Sequence, residues 1–114
     1  MSERICMGLD LRDDPKLIEE YKNYHAPGNT WPEIIKSIYN AGVLDMEIYL
    51  LGNRLFMIME VDADFSLEKK AAMDEVNPKV QEWEALMQAK FQQALPWEAK
   101  IRWMSAELIF KLEA

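Results

Sequence analysis

Residues 43–61 read VLDMEIYLLGNRLFMIMEV, two apolar-rich runs meeting at Gly52 and Asn53. A two-residue Gly-Asn connection between such runs predicts a β-hairpin with a turn of the primed kind, whose twist matches that of the flanking strands. The turn sets the register. Leu50 should pair with Leu55, Ile48 with Met57 and Met46 with Met59 on one face, leaving Tyr49 opposite Phe56 and Glu47 opposite Ile58 on the other.

On the N-terminal side, residues 4–11 alternate, with Ile5, Met7, Leu9 and Leu11 on one side and Cys6, Gly8 and Asp10 on the other, the pattern of a half-buried strand. Asp13 or Asp14 then caps a helix with Pro15 in its first turn and Leu17, Ile18 and Tyr21 at helical spacing. Residues 26–29, Ala-Pro-Gly-Asn, break it. Thr30 and Glu33 have the spacing of a capping box around Pro32, predicting a second short helix that turns Ile34, Ile35 and Ile38 inward and stops at Gly42. On the C-terminal side, residues 66–91 return to helical periodicity, interrupted at Asn77 and Pro78, where a new helix starts with Val80, Trp83 and Met87 on one stripe. A final strand is predicted over about 102–112, with Leu108, Phe110 and Leu112 toward the core.

The resulting order, strand, two helices, hairpin, broken helix, strand, is that of a βαββαβ α+β sandwich with helices on one face of an antiparallel sheet. The other face would carry Cys6, Asp45, Glu47, Tyr49, Phe56, Ile58, Glu60, Glu107 and Ile109. That set is too apolar for water and too acidic for a plain core, which predicts a homodimer covering it around a partly polar cavity; a solvated face with scattered aromatics is the alternative.

All 114 residues fit one domain, 1–114, with no repeat or linker composition to divide them. Twenty acidic against thirteen basic residues make the net charge -7, which disfavours nucleic acid and anionic membrane surfaces as partners. No apolar run is long enough for a signal peptide or membrane span, and the single cysteine, Cys6, reads as a packed thiol, so the expected location is the cytoplasm.

His25 is the only histidine and the leading candidate for acid/base chemistry near neutral pH. Tyr21, four residues earlier on the same helix, can present its phenol beside the imidazole. Trp31 and Trp83 offer flat apolar surfaces with one N–H donor, as sugar sites need, although a tryptophan on a helical stripe is also an ordinary core residue. Asp45 and Glu60 face one another across the hairpin; either the strands splay there or one carboxyl is protonated or binds ligand hydroxyls. One His and one Cys far apart make a poor metal site, and Gly8, Gly28, Gly42 and Gly52 form no phosphate-cradling loop.

Tyr21-x-x-x-His25, Trp31-Pro32-Glu33, Gly42 ahead of Glu47-Ile48-Tyr49-Leu50, then Leu55-Phe56 and Trp83 together resemble the L-rhamnose mutarotase family, in the same order over most of the chain. The resemblance implies a dimeric ferredoxin-like α+β barrel that works without metal or cofactor and interconverts the α and β anomers of a 6-deoxyhexose. It also implies that His25 is the acid/base residue and that Tyr21 and Trp83 contact the monosaccharide, with Trp31, Met46, Tyr49 and Glu84 completing the expected substrate set. Three departures mark this chain. Five residues rather than the family's usual three separate His25 from Trp31, Met46 stands where a sugar-contacting tyrosine is usual, and Glu84 replaces the second of two paired tryptophans. L-fucose is therefore a rival to L-rhamnose.

Mutarotation opens a hemiacetal and recloses it on the other carbonyl face, which needs only proton transfers. The sequence suggests His25 as acid toward the ring oxygen, Tyr21 as its positioning partner, and an acidic residue or water as the second relay. A noncatalytic small-molecule-binding dimer and a cofactor-free monooxygenase on the same barrel are the competing expectations. The 26–30 loop is either a lid or a plain surface connection.

Overall fold

A computed structural model of the chain describes residues 3–112. Among these, the order is β1 (Glu3–Leu11), α1 (Pro15–His25), α2 (Pro32–Asn40), β2 (Val43–Leu51), β3 (Arg54–Val61), α3 (Leu67–Glu75), α4 (Pro78–Lys90), β4 (Gln92–Gln93) and β5 (Met104–Ser105).

The hairpin has the predicted register throughout: Leu50 opposite Leu55, Ile48 opposite Met57, Met46 opposite Met59, Tyr49 opposite Phe56 and Glu47 opposite Ile58. Gly52 has φ +63° and no described residue other than glycine has positive φ, which makes the turn type II′, with glycine first. Asn53 ties the turn to the end of β1 by donating from its side chain to the Leu11 carbonyl, 2.9 Å. β3 pairs antiparallel with β1, and β4 and β5 share the remaining edge of β1, giving the ferredoxin-like antiparallel order β2-β3-β1-β4.

Local capping follows the sequence at two helices. The Asp14 carboxylate accepts from the backbone N–H groups of Lys16 and Leu17, and the Asn77 side chain accepts from those of Lys79 and Val80. Gly42, at φ +95°, ends the approach from α2, as expected of a left-handed terminator. The capping box at Thr30 does not form. Trp31 is the N-cap of α2 without a side-chain cap bond, because the Thr30 hydroxyl instead donates to the Tyr24 carbonyl of α1 at 3.0 Å.

α1, α2 and α4 pack on the face bearing Leu9, Leu11, Leu55 and Met59, all nearly inaccessible, and α3 packs on α4. α1, α2 and α4 contribute Tyr21, Ile34, Val80, Trp83 and Met87 to the main cluster, and Phe91 follows α4 into it. Each large apolar side chain so enclosed stabilises the fold by about 1.5–3 kcal/mol. Ile38 joins this cluster to a smaller one of Val43, Met59 and Val61. Ile35, expected inward, is half exposed and faces a cleft instead.

The last strand differs from expectation. Only Gln92–Gln93 and Met104–Ser105 pair with β1, and after Ala106 donates to the Cys6 carbonyl the chain leaves the sheet. Leu108, Phe110 and Leu112 are exposed rather than in the core. After α4 the apolar side chains that the core takes up are Phe91 and Leu95, so the apolar alternation of 108–112 stays outside it. Glu107 and Ile109 likewise lie off the sheet, so the expected second face is shorter than predicted.

On that second face, Asp10 is buried and accepts two bonds from Arg54, from Nε at 2.7 Å and Nη2 at 3.2 Å. Trp97 lies 5.2 Å from the same guanidinium, so the loop after β4 is held over this end of the sheet. Asp45 and Glu60 do stand opposite each other, but a β-bulge between Val43 and Asp45 disturbs the ladder there, and the Asp45 carboxylate accepts from the Met46 backbone N–H.

Candidate active site

The C-terminal turn of α1 ends on His25, whose Nδ1 lies 2.8 Å from the Tyr21 carbonyl oxygen. A carbonyl can only accept, so Nδ1 carries the hydrogen and Nε2 is left with its lone pair. Burial lowers the imidazole pKa, partly opposed by this same hydrogen bond. In the neutral ring Nε2 is thus the nitrogen left to accept a hydrogen bond.

The loop after His25 is pinned rather than free. Asn29 donates from its side chain to the Asn23 carbonyl at 2.8 Å, and Thr30 donates to that of Tyr24, satisfying carbonyls that the helix end would leave without partners. These bonds fix the direction in which α1 presents His25.

Aromatic rings hold the imidazole from two sides. The Tyr21 ring centroid is 4.3 Å away and that of Trp83 is 5.4 Å away, edge to face. Trp83 rests in turn on Trp31 at 5.1 Å and Tyr24 at 6.0 Å. Tyr21 is buried, hydrogen-bonded to the Gln92 side chain, and its phenol pKa is pushed up to about 12 by desolvation. It stays protonated at any physiological pH.

His25 opens onto a cleft between the helices and the sheet. One lobe, of about 440 Å³, lies between α1, α2 and β2; a second, of about 660 Å³, runs toward α3 and α4. Tyr21, His25, Thr30, Ile38, Met46 and Ile48 line both, so the lobes meet at the imidazole. Each is within the roughly 300–1,000 Å³ usual for small-molecule sites.

The structure brings most of the expected residues to this cleft. Met46 lines both lobes, Tyr49 borders the first from the β2 edge, and Trp83 and Glu84 line the second. Trp31 lines neither lobe: it stands behind Trp83 with Lys79 over its outer face. The second lobe also holds groups that sequence reasoning missed, namely Lys70, Asp74, Gln92 and Arg102. Lys70 and Asp74 form a 2.6 Å ion pair four residues apart on α3, a pattern that in sequence looks like any solvated helix face. Among the described residues no three His, Cys, Asp or Glu side chains are grouped so as to hold a metal ion.

The family model described as L-rhamnose mutarotase matches residues 4–112. An L-fucose mutarotase from Xanthomonas campestris is 44% identical over 111 residues, covering 96% of this chain and 88% of that protein. Among solved structures, the L-rhamnose mutarotase FA22100 from Formosa agariphila superposes with a TM-score of 0.70 at 24% identity, over 97% of this chain and 99% of that one. A dimeric ferredoxin-like protein from an uncultured marine organism superposes at 0.54 and 14% identity, over 97% and 90%, a likeness of fold alone. With the family model spanning nearly the whole chain, and the Tyr21, His25 and Trp83 cluster seated in the cleft, this protein belongs to the L-rhamnose mutarotase family.

Proposed function

We propose that this chain is a sugar mutarotase that interconverts the α and β anomers of a 6-deoxyhexose, with L-fucose preferred over L-rhamnose. The observation that carries the reading is a neutral, half-buried imidazole whose Nε2 is available in a cleft of monosaccharide dimensions. Nε2 takes the proton of the anomeric hydroxyl as the ring C–O bond breaks. It returns that proton when the ring recloses on the other carbonyl face, so the group acts as base and then as acid by microscopic reversibility.

Tyr21 orients the imidazole, Trp83 presents an aromatic face to the sugar, and Met46 and Tyr49 border it from β2, with Trp31 buttressing Trp83. Identity of 44% to a protein named as an L-fucose mutarotase favours that sugar, as does Glu84 in place of a second tryptophan.

The working unit is a homodimer. The sheet face opposite the helices carries half-buried Cys6, Phe56 and Ile58, and the 108–112 segment exposes Leu108, Ile109, Phe110 and Leu112. A second copy is the natural cover for both. No helix of the described residues is long and apolar enough to cross a membrane, and the single unpaired Cys6 accords with a reducing compartment such as the cytoplasm.

Anomeric exchange measured by saturation-transfer NMR, with L-fucose, L-rhamnose and a neutral control hexose, tests this. Wild type should accelerate exchange of a 6-deoxyhexose, and a folded His25→Ala variant should lose about a hundred- to ten-thousand-fold. Near-normal exchange in that variant removes His25 from the chemistry. Sugar binding without exchange in wild type replaces the enzyme with a binding protein.

A further inference from the structure

Opening a hemiacetal requires two proton transfers at two different oxygens, and His25 serves only one of them. Four carboxyl side chains border the cleft: Asp45, Asp74, Glu75 and Glu84. Asp45 accepts from the Met46 backbone N–H at the far, β2 end. Asp74 is buried in its ion pair with Lys70. Glu75 sits at the last position of α3, one helix away from the residues that touch His25.

Glu84 differs from all three. It alone follows Trp83, whose ring packs edge to face on His25; it shares the lobe that His25, Asp74 and Glu75 line, and among the described residues its side chain makes no hydrogen bond or ion pair. We propose that the Glu84 carboxyl is the second proton-transfer group of the cleft, serving the sugar's ring oxygen while His25 serves the anomeric oxygen. This assignment rests on the mutarotase function proposed above.

The step balances. His25 Nε2 takes the proton from the anomeric O–H, that oxygen's electron pair forms the C=O, and the electrons of the breaking C–O bond go to the ring oxygen. The ring oxygen takes a proton from the Glu84 carboxyl. After rotation of the aldehyde, the freed hydroxyl returns its proton to Glu84 as it attacks the other face, and His25 reprotonates the new anomeric oxygen. Both groups end as they began, so no co-reactant is needed.

The surroundings suit a carboxyl that holds a proton. Partial burial raises the Glu84 pKa, the Asp74 charge raises it further, and Lys70 pulls it back. Arg102 also lines this lobe, from the segment before β5, and is engaged by Glu98 at 3.7 Å. The working form carries one proton on the His25–Glu84 pair. Exchange should therefore fall on the acid side when both groups are protonated and on the alkaline side when neither is, a bell whose limbs belong to the pair.

The experiment is the pH profile and sugar-concentration dependence of anomeric exchange for wild type, His25→Ala, Glu84→Gln and Glu84→Asp. Glu84 is on an exposed position of α4, so the glutamine variant should fold, as circular dichroism would verify. Support is a hundredfold or greater fall in turnover for Glu84→Gln, with half-saturating sugar concentration little changed, the alkaline limb gone while the acid limb of His25 remains, and partial recovery of turnover and of the alkaline limb in Glu84→Asp. Exchange within threefold of wild type with both limbs intact in Glu84→Gln overturns the assignment while leaving the mutarotase standing. Failure of wild type to accelerate any of the sugars overturns the enzyme itself, and the proposal with it.

Discussion

Replacing Tyr21 by Phe should make the protein less stable near neutrality yet no less stable in strong alkali. In wild type the phenol ionises near 10.0 in the unfolded chain but only at about 12 when folded, because its buried ring disfavours the phenolate. A group whose folded pKa is raised contributes stability that is complete below pH 10 and lost as pH rises through the folded value. At pH 11, one unit above the first value and one below the second, that loss is about 1.4 kcal/mol, approaching about 2.7 kcal/mol once both are passed. The variant carries no such penalty. It does lose the hydrogen bond to Gln92, worth about 1 kcal/mol at all lower pH values. Urea unfolding followed by tryptophan fluorescence at pH 8 and pH 11 should show wild type ahead by about 1 kcal/mol at pH 8 and behind Tyr21→Phe by about 0.4 kcal/mol at pH 11. Using the difference between the two proteins cancels the ionisation of Tyr24, Tyr39, Tyr49 and the lysines. A stability gap that stays constant between the two pH values would refute the view that Tyr21 is held protonated by burial.

Gly42→Ala should destabilise the fold by about 1–2 kcal/mol, since an L-residue is strained at positive φ and the new Cβ would approach the Asp62 Oδ2 to 2.9 Å; unchanged chemical denaturation would contradict that geometry. Sedimentation should find wild type as a dimer at micromolar concentration. The double variant Leu108→Ser/Phe110→Ser should weaken association about a hundredfold or more, as follows from removing two large apolar anchors per protomer; a monomeric wild type would dispose of the dimer.

The hairpin was legible because its information is local. Gly52 supplies the one positive φ that a type II′ turn demands, and once the turn is placed the period of two assigns every side chain from Met46 to Met59 to a face. Asp14, Gly42 and Asn77 were legible for the same reason, each acting on backbone groups within a few residues. Thr30 misled because its hydroxyl had a competing acceptor, the Tyr24 carbonyl, that only the folded loop brings within reach.

The C-terminal segment shows the opposite limit. Leu108, Phe110 and Leu112 alternate as a strand should, yet whether a strand forms depends on an unfilled edge and an unfilled core position, and the core takes Phe91 and Leu95 instead. The site divides along the same line. The sequence by itself singled out His25 as the one group titrating near neutrality and placed Tyr21 on its helix face, because side-chain chemistry and helical spacing are properties of residue type and order. Only the tertiary structure decided which nitrogen of His25 is free, that Trp83 rather than Trp31 meets it, and that Glu84 shares its cleft beside Asp74 and Lys70. Those facts depend on distances between α1, α3 and α4 and on how much water their packing excludes, and such quantities arise only when segments far apart in the chain meet.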